Sequence, residues 1–274
     1  MRTLCWLTPL LLVCLLTVAH AQQTYDLRCA PAADTKWQEK LTGQIVEALV
    51  QGQAMGITGD ATADVGMQVL SVDAEAKQAT TQMALKQIKA NLNGQASQPD
   101  DPAPIKIVVD ERGKMSLPEA KDAEPMDWAA TGGIPLQLVV IIAHMARLPV
   151  QPVACGQEWS YEDVYALPGM GNVPINTRWK LVEVDGQVAT LAATAAALVP
   201  DFKVPNPMAP GAQVDVRGAR VSIPQMTQKY DMGKSHVVES EATVKVDARV
   251  DLGGFEMPLA ITLKSKLEPA EEAQ

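Results

Sequence analysis

The sequence is poor in the residues from which many active sites are built. Aromatic residues make up 4% of its 274 residues, Phe occurs twice and His three times. Glycoside hydrolysis needs two carboxylates at a fixed separation, and the shortage of aromatic rings speaks against a sugar-stacking cleft beside them. The chain also lacks a phosphate-binding loop, a dinucleotide fingerprint, an EF-hand loop and a nucleophile elbow. These absences disfavour the common enzyme classes.

Only two histidines, His144 and His236, lie beyond the first 21 residues. A metal site needs several His, Cys or carboxylate groups converging at short spacing. His144 stands alone in an apolar segment, and we interpret it as a core or edge residue. His236 follows Ser235, and we interpret it as an exposed strand residue; a hydrolase that uses it with nearby acids is the weaker alternative. We therefore predict no catalytic, cofactor-binding or metal site.

The N-terminus has the pattern of an export signal. Arg2 precedes the apolar run Leu4–Val18, and Ala19-His20-Ala21 forms an A-x-A cleavage site. We predict a signal peptide over 1–21, cleavage after Ala21 and a protein of the periplasm or the extracellular space. A membrane anchor and lipidation at Cys14 are the weaker alternatives.

Beyond residue 21 no apolar run reaches the ~20 residues that span a bilayer, so we expect no mature transmembrane segment. The net charge of −9 is unsuited to nucleic acid. Two cysteines remain, Cys29 and Cys155. In an exported protein such a pair commonly forms a disulfide, and two separately buried thiols are the alternative.

Alternating apolar and polar residues separated by turn signals predict β-hairpins. They lie at Ile57–Leu92, Ile105–Leu117, Arg178–Ala196 and Val237–Leu267. Two further strands are predicted at Val214–Val221 and Gln225–Asp231. Two segments are ambiguous: Trp37–Ala48 fits a helix or a strand, and Glu75–Asn91 has good helix formers. The predicted fold is mainly β with minor α, an antiparallel hairpin-rich curved sheet or open half-barrel.

The most apolar part of the chain after the signal is Gly132–Trp159. We predict a buried helix at about Leu136–Arg147, which follows Pro135 and stops before Pro149. Four successive β-branched residues, Val139–Ile142, favour a strand instead.

Four apolar strands end in Val-Asp before a turn. This recurrence suggests an internal duplication, although Val-Asp is also a common way for β-rich chains to enter turns. We predict one domain over 22–268, with two candidate halves at 22–130 and 148–268 joined by the helix. A polar tail follows at 269–274.

Residues Leu148–Trp159, LPVQPVACGQEW, form a rigid corner in our interpretation. Pro149 and Pro152 favour extended chain, Gly156 permits a sharp turn, and Trp159 anchors the next strand.

The corner resembles the PxxPVxxGxxW signature of a family of exported bacterial proteins known only as a domain of unknown function. The segments Tyr25–Arg28, Arg178–Leu191 and Lys229–Val250 resemble other parts of that family. The sequence departs from the family pattern at Cys155, where an apolar residue is usual, and at Gln157, where an acidic one is frequent. The resemblance implies an antiparallel β-rich fold with a helix before the signature, and it implies no catalytic residue.

These observations favour a non-catalytic envelope protein that binds an apolar ligand or a partner protein. The first alternative is a structural or assembly module without a small ligand, and the second is the hydrolase that uses His236. The sequence predicts no oligomeric state.

Overall fold

The computed structural model describes residues 23–118, 136–167, 170–205, 213–251 and 254–270. The predicted signal peptide with its cleavage site at Ala21 lies outside the described residues, as do 119–135 and the last four residues of the predicted tail.

The first half of the described chain is built from eight strands. The long ones are fifteen residues each, and their buried residues alternate with exposed ones, as expected for a sheet with one face in the core. The strands are β1 (Thr24–Tyr25), β2 (Lys36–Val50), β3 (Gln53–Ala54), β4 (Gly59–Asp73), β5 (Gln78–Leu92), β6 (Gln95–Ser97), β7 (Ile105–Asp110) and β8 (Met115–Ser116).

The second half begins with the helix and continues with eight more strands. The helix is α1 (Leu136–His144). The strands are β9 (Val153–Ala154), β10 (Glu158–Leu167), β11 (Gly171–Asp185), β12 (Val188–Leu198), β13 (Phe202–Pro205), β14 (Gln213–Asp231), β15 (His236–Asp251) and β16 (Glu256–Pro269).

Fourteen of these strands form one antiparallel sheet, and β1 pairs separately with β9. The main order is β10-β11-β12-β14-β15-β16-β2-β4-β5-β7-β8, so the pairing of β16 with β2 joins the two halves. The sheet curls into a nearly closed barrel, and an unsealed seam remains between its end strands β10 and β8. The predicted β-rich class, the hairpins and the single helix are confirmed.

Helix α1 lies inside the barrel, where it contacts β15, β16 and β2. Val139, Val140, Ile141 and Ala143 are all at most 4% exposed, so the helix is buried on every side of these positions. This agrees with a helix that is apolar nearly all round. In the part of the chain that the structure describes, no helix combines the length and apolarity needed to cross a membrane.

Helix α1 ends at His144, three residues before the predicted end at about Arg147. The carbonyl of Ala143 would receive the backbone N–H of Arg147 if the helix continued, but it accepts a hydrogen bond from Gln228 Nε2 at 2.7 Å instead. Leu148 N–H donates to the Arg112 carbonyl at 2.8 Å, which holds the chain extended before Pro149.

Two ambiguous segments resolve as strands. Trp37–Ala48 lies within β2, and the helix alternative for Glu75–Asn91 is wrong because most of that segment forms β5. The segments predicted as separate strands at Val214–Val221 and Gln225–Asp231 form one strand, β14, with irregular pairing between Ser222 and Gln225. That irregularity contains Pro224, which has no N–H to donate to a regular ladder.

Candidate functional site

A cavity of about 490 Å³ lies between helix α1 and one end of the barrel. This volume falls in the range of about 300–1,000 Å³ that is typical of small-molecule sites. Leu138, Ile141 and Ile142 on one side of the helix, together with Met145 just after its end, form the floor of the cavity.

The cavity wall comes mainly from alternate residues of the surrounding strands, although on β12 the intervening Ala196 also contributes. It includes Ala195 and Ala197 of β12, Val214 and Val216 of β14, Val246, Ala248 and Val250 of β15, and Met257, Leu259 and Ile261 of β16. Because side chains alternate across a strand, residues two positions apart share the inner face. Towards the barrel end, Val204, Val250 and Met257 remain partly exposed although they line the cavity, so the cavity opens to solvent at this end.

Tyr165 is the one lining residue among the described positions that carries a polar side-chain atom. It is 4% exposed, and its hydroxyl oxygen is buried without a hydrogen-bond partner in the described part of the chain. Burial raises the pKa of Tyr165, as does the nearby charge of Asp163, and Arg147 opposes the rise. The hydroxyl is therefore a neutral donor throughout the physiological pH range.

A buried ion pair fixes helix α1 to the barrel wall away from the cavity. His144 Nε2 lies 2.7 Å from Glu39 Oε2 on β2, and the two side chains are 6% and 3% exposed. His144 Nδ1 lies 2.8 Å from the Val140 carbonyl, which can only accept, so that nitrogen carries a proton. Burial lowers the pKa of His144, but the charge of Glu39 and the hydrogen bonds that His144 donates to Glu39 and to the Val140 carbonyl raise it on balance.

A second buried ion pair lies where the chain leaves the helix. Arg147 Nε donates to Asp163 Oδ2 at 2.7 Å, with the two side chains 6% and 8% exposed. Arg147 Nη1 also donates to the Arg112 carbonyl at 2.8 Å, and its guanidinium carbon lies 4.0 Å from the ring centre of Tyr161. The guanidinium group of Arg147 thus has its interaction partners within the protein.

A smaller pocket of about 60 Å³ includes Cys29, His144 and His236 in its lining. His236 stacks on Trp37 with ring centres 4.3 Å apart, and burial lowers the pKa of His236. Burial raises the pKa of Cys29 to about 11, so this thiol is a poor nucleophile at neutral pH. His236 is half-buried rather than exposed as predicted.

Among the residues that the structure describes, no hydrolytic triad is assembled around His236. Its Nδ1 faces the Lys234 carbonyl at 3.3 Å, and Ser235 accepts the thiol of Cys29 through its backbone carbonyl at 3.6 Å. Within the described ranges no group of three or more His, Cys, Asp or Glu residues converges as a metal site.

The predicted disulfide is absent, since no bond joins Cys29 and Cys155, both of which are described. Thr24 pairs with Ala154 and Tyr25 with Val153. Continuing this antiparallel register places Cys155 opposite Gln23, whereas Cys29 lies beyond the other end of β1. A disulfide needs Cα atoms within about 7 Å, and the register carries the two cysteines in opposite directions.

The signature corner lies where the chain passes from the helix to β10. Pro149 offers its carbonyl to Arg112 Nη1 at 2.7 Å, and Pro152 directly precedes β9. Gly156 has a φ of +90°, which favours glycine, and its N–H donates to the Leu181 carbonyl at 2.7 Å. Trp159 Nε1 donates to the Arg147 carbonyl at 2.7 Å, which ties β10 to the segment after the helix.

Sequence reasoning missed Tyr165, Glu39 and Gln228, which are the polar groups at the cavity and around the helix. Tyr165 and Glu39 each occupy an inward position of a strand in which buried and exposed residues alternate. This alternation is the sequence pattern that could have indicated that the two side chains are buried. Nothing near Tyr165 in the sequence marks it as unpaired, since that property depends on the whole barrel.

A comparison of the chain with protein-family models and a comparison with curated proteins each find no match. The resemblance to the exported family with the PxxPVxxGxxW signature stays a prediction.

Proposed function

We propose that this chain is an exported, non-catalytic envelope protein that binds an apolar ligand in the barrel cavity, in the periplasm or outside the cell. The observation that carries the proposal is the cavity of about 490 Å³, which has an apolar helix as its floor and is lined by no charged side chain among the described residues. The proposal keeps the predicted kinship with the exported family, which implies no catalytic residue.

The expected ligand is a lipid-like molecule with a single slender apolar chain. Burying about ten methylene groups contributes about 8 kcal/mol at ~0.8 kcal/mol per group. Part of this is lost to the reduced freedom of the ligand on association. Micromolar affinity requires about 8 kcal/mol net, so we expect it only from a chain longer than about ten methylene groups.

Displacement of the neutral dye N-phenyl-1-naphthylamine tests the proposal on the purified chain beginning at Gln22. The dye should fluoresce on binding, and long-chain alkyl compounds should displace it. Native mass spectrometry before and after organic extraction should show whether a ligand is carried from the cell. A chain that takes up neither dye nor alkyl compound and is always isolated bare would contradict the proposal.

Blocking the cavity provides the matched test. Ala197 of β12 lines the cavity, whereas Ala192 of the same strand does not and is half-buried. Ala197→Trp should weaken dye binding at least tenfold because the ring enters the cavity, and Ala192→Trp should leave it within twofold. Circular dichroism and thermal melting check that both variants fold. Full binding by a folded Ala197→Trp protein would rule out this cavity as the binding site.

A structural or assembly module is the second candidate function. It is favoured by β10, an edge strand of the open seam on which Val164 is 58% exposed. Unpaired strand edges are templates for pairing with another chain. Pull-down from the cell envelope distinguishes the two: a stable partner with no carried ligand favours the module.

A further inference from the structure

The wall of the cavity offers a ligand almost no polar atom. Among the described residues that line it, all are apolar except Tyr165, and the hydroxyl oxygen of Tyr165 is itself buried. A polar group that enters such a space gives up its hydrogen bonds to water and gains none in return. The wall therefore disfavours a polar group of the ligand at every position inside the cavity.

The cavity is closed at its deep end. Its last lining residues on β14 and β16 are Ile223 and Leu263, which are at most 5% exposed. Further along the same strands, Met226 and Leu267 are buried in the core and do not line the cavity. From Met257 to Leu263, β16 advances by roughly 20 Å at ~3.3 Å per residue. The space thus suits an extended apolar chain that ends inside the barrel.

The open end of the cavity is surrounded by charged side chains in contact with water. Val250 of β15 and Met257 of β16 line this end and are partly exposed. Asp251 directly follows Val250, Glu256 directly precedes Met257, and both acids pair with Arg217 at 3.3 and 3.0 Å. The side chains of Arg217 and Glu256 are 44% and 45% exposed. A polar head group at this rim would keep its contact with water.

We propose that the cavity binds amphiphiles with a single polar end, and that they enter chain first. The apolar chain extends to the level of Ile223 and Leu263, and the head group stays outside at the rim of Arg217, Asp251 and Glu256. A molecule with polar groups at both ends of its chain is rejected, because one of them would be buried against an apolar wall. This inference rests on the proposed function and specifies the ligand class of the same site.

Displacement of N-phenyl-1-naphthylamine by three compounds with the same dodecyl chain tests the direction of binding. They are 1-dodecanol, 1,12-dodecanediol and dodecyl maltoside, the last used below its critical micelle concentration. The alcohol and the maltoside should bind with similar affinity, because the head group lies outside the cavity. The diol should bind about 5- to 150-fold more weakly than the alcohol, the range that corresponds to one buried hydroxyl without a partner.

A hydroxyl introduced at the deep end should supply the missing partner. Ile223→Thr keeps a β-branched side chain and should reduce the preference for the alcohol over the diol. Val250→Thr is the matched control, because it adds the same group at the open end, and it should keep the wild-type preference. Circular dichroism and thermal melting check that both variants fold, and the comparison of the three compounds on the wild-type protein does not depend on either variant.

The outcomes separate the inference from the proposed function. A diol that binds as tightly as the alcohol overturns the inference alone, since binding itself persists. A maltoside that fails to bind where the alcohol binds does the same, because the head group would then have to fit inside. A folded Ile223→Thr protein with the wild-type preference contradicts the stated position of the chain end. Failure of both the alcohol and the maltoside to displace the dye overturns the proposed function and the inference with it.

Discussion

The buried pair of Glu39 and His144 should make the stability of this protein depend on pH. The pKa of His144 is raised in the folded protein. Burial lowers this pKa, but the interactions of His144 with Glu39 and with the Val140 carbonyl outweigh the effect of burial. A His with a raised folded pKa contributes stability that is complete below its unfolded pKa of ~6.5 and is lost as pH rises through the folded pKa. The free energy of unfolding should therefore fall as pH increases above ~6.5.

Substitution of Glu39 isolates this contribution. Glu39→Leu leaves His144 buried without its charge partner, and removing one partner of a buried pair costs about 3–5 kcal/mol. Glu39→Gln can still donate to Nε2 of a neutral His144 while Nδ1 keeps its bond to Val140, so its cost at pH 6.5 should be smaller, about 1–3 kcal/mol. That cost should shrink as pH rises, because the wild-type protein then loses its charge pair.

Urea unfolding from pH 6.5 to pH 9 measures both effects. Glu47→Gln on the exposed face of the same strand is the matched control and should keep the wild-type pH slope. The other nearby histidine, His236, has a pKa lowered mainly by burial, so its contribution changes below pH ~6.5 and outside this window. The double replacement Glu39→Leu with His144→Leu should recover most of the loss. A Glu39→Gln protein with the full wild-type pH slope would refute the reasoning.

Two further predictions follow from close packing and from burial. Gly113→Ala should destabilise the protein by about 3 kcal/mol or more. The added Cβ would lie 1.9 Å from the Ala146 carbonyl oxygen, and the residue would have to adopt a φ of +74°. Gly186→Ala, at a φ of +57° with nothing within 4 Å, should cost only about 1 kcal/mol; equal melting temperatures for the two variants would contradict the Gly113 contact. In a chain that begins at Gln22 and carries Cys155→Ala, the sole thiol is Cys29, whose pKa near 11 predicts alkylation by iodoacetamide at pH 8 many times slower than in urea. Mass spectrometry follows that reaction, and equal rates in both conditions would show that the thiol is not buried.

The sheet could be predicted because its signal is local. In β4, Val65, Met67 and Val69 alternate with half-buried residues, and Asp73 marks the turn that leads to β5. Such a period of two reports one buried face directly. The helix was predicted from a local signal too, the prolines Pro135 and Pro149 on either side of the apolar segment, although the β-branched run Val139–Ile142 favoured a strand.

The polar site residues could not be predicted, because their partners are remote in the chain. His144 has no partner at i+3 or i+4 since its partner, Glu39, is 105 residues away on β2. The helix end depends on Gln228, which reaches Ala143 from β14 across 85 residues. The continuity of β14 was hidden by Pro224 and Gly218, which lie where its pairing is irregular and locally disrupt the alternation.

The cavity is too large to be an incidental packing defect. An empty enclosed cavity costs about 24 cal/mol per Å³, so at 490 Å³ it would cost roughly 12 kcal/mol. That is comparable with the entire stability of a typical domain, about 5–15 kcal/mol. The small wall residues Ala195, Ala197 and Ala248 leave this space where larger side chains would have filled it. Since the space opens to solvent at the barrel end, it is occupied by water or ligand rather than left empty. Water would find almost no polar side-chain atom on the wall among the described lining residues, since the hydroxyl of Tyr165 is itself buried, whereas an apolar molecule would match this wall.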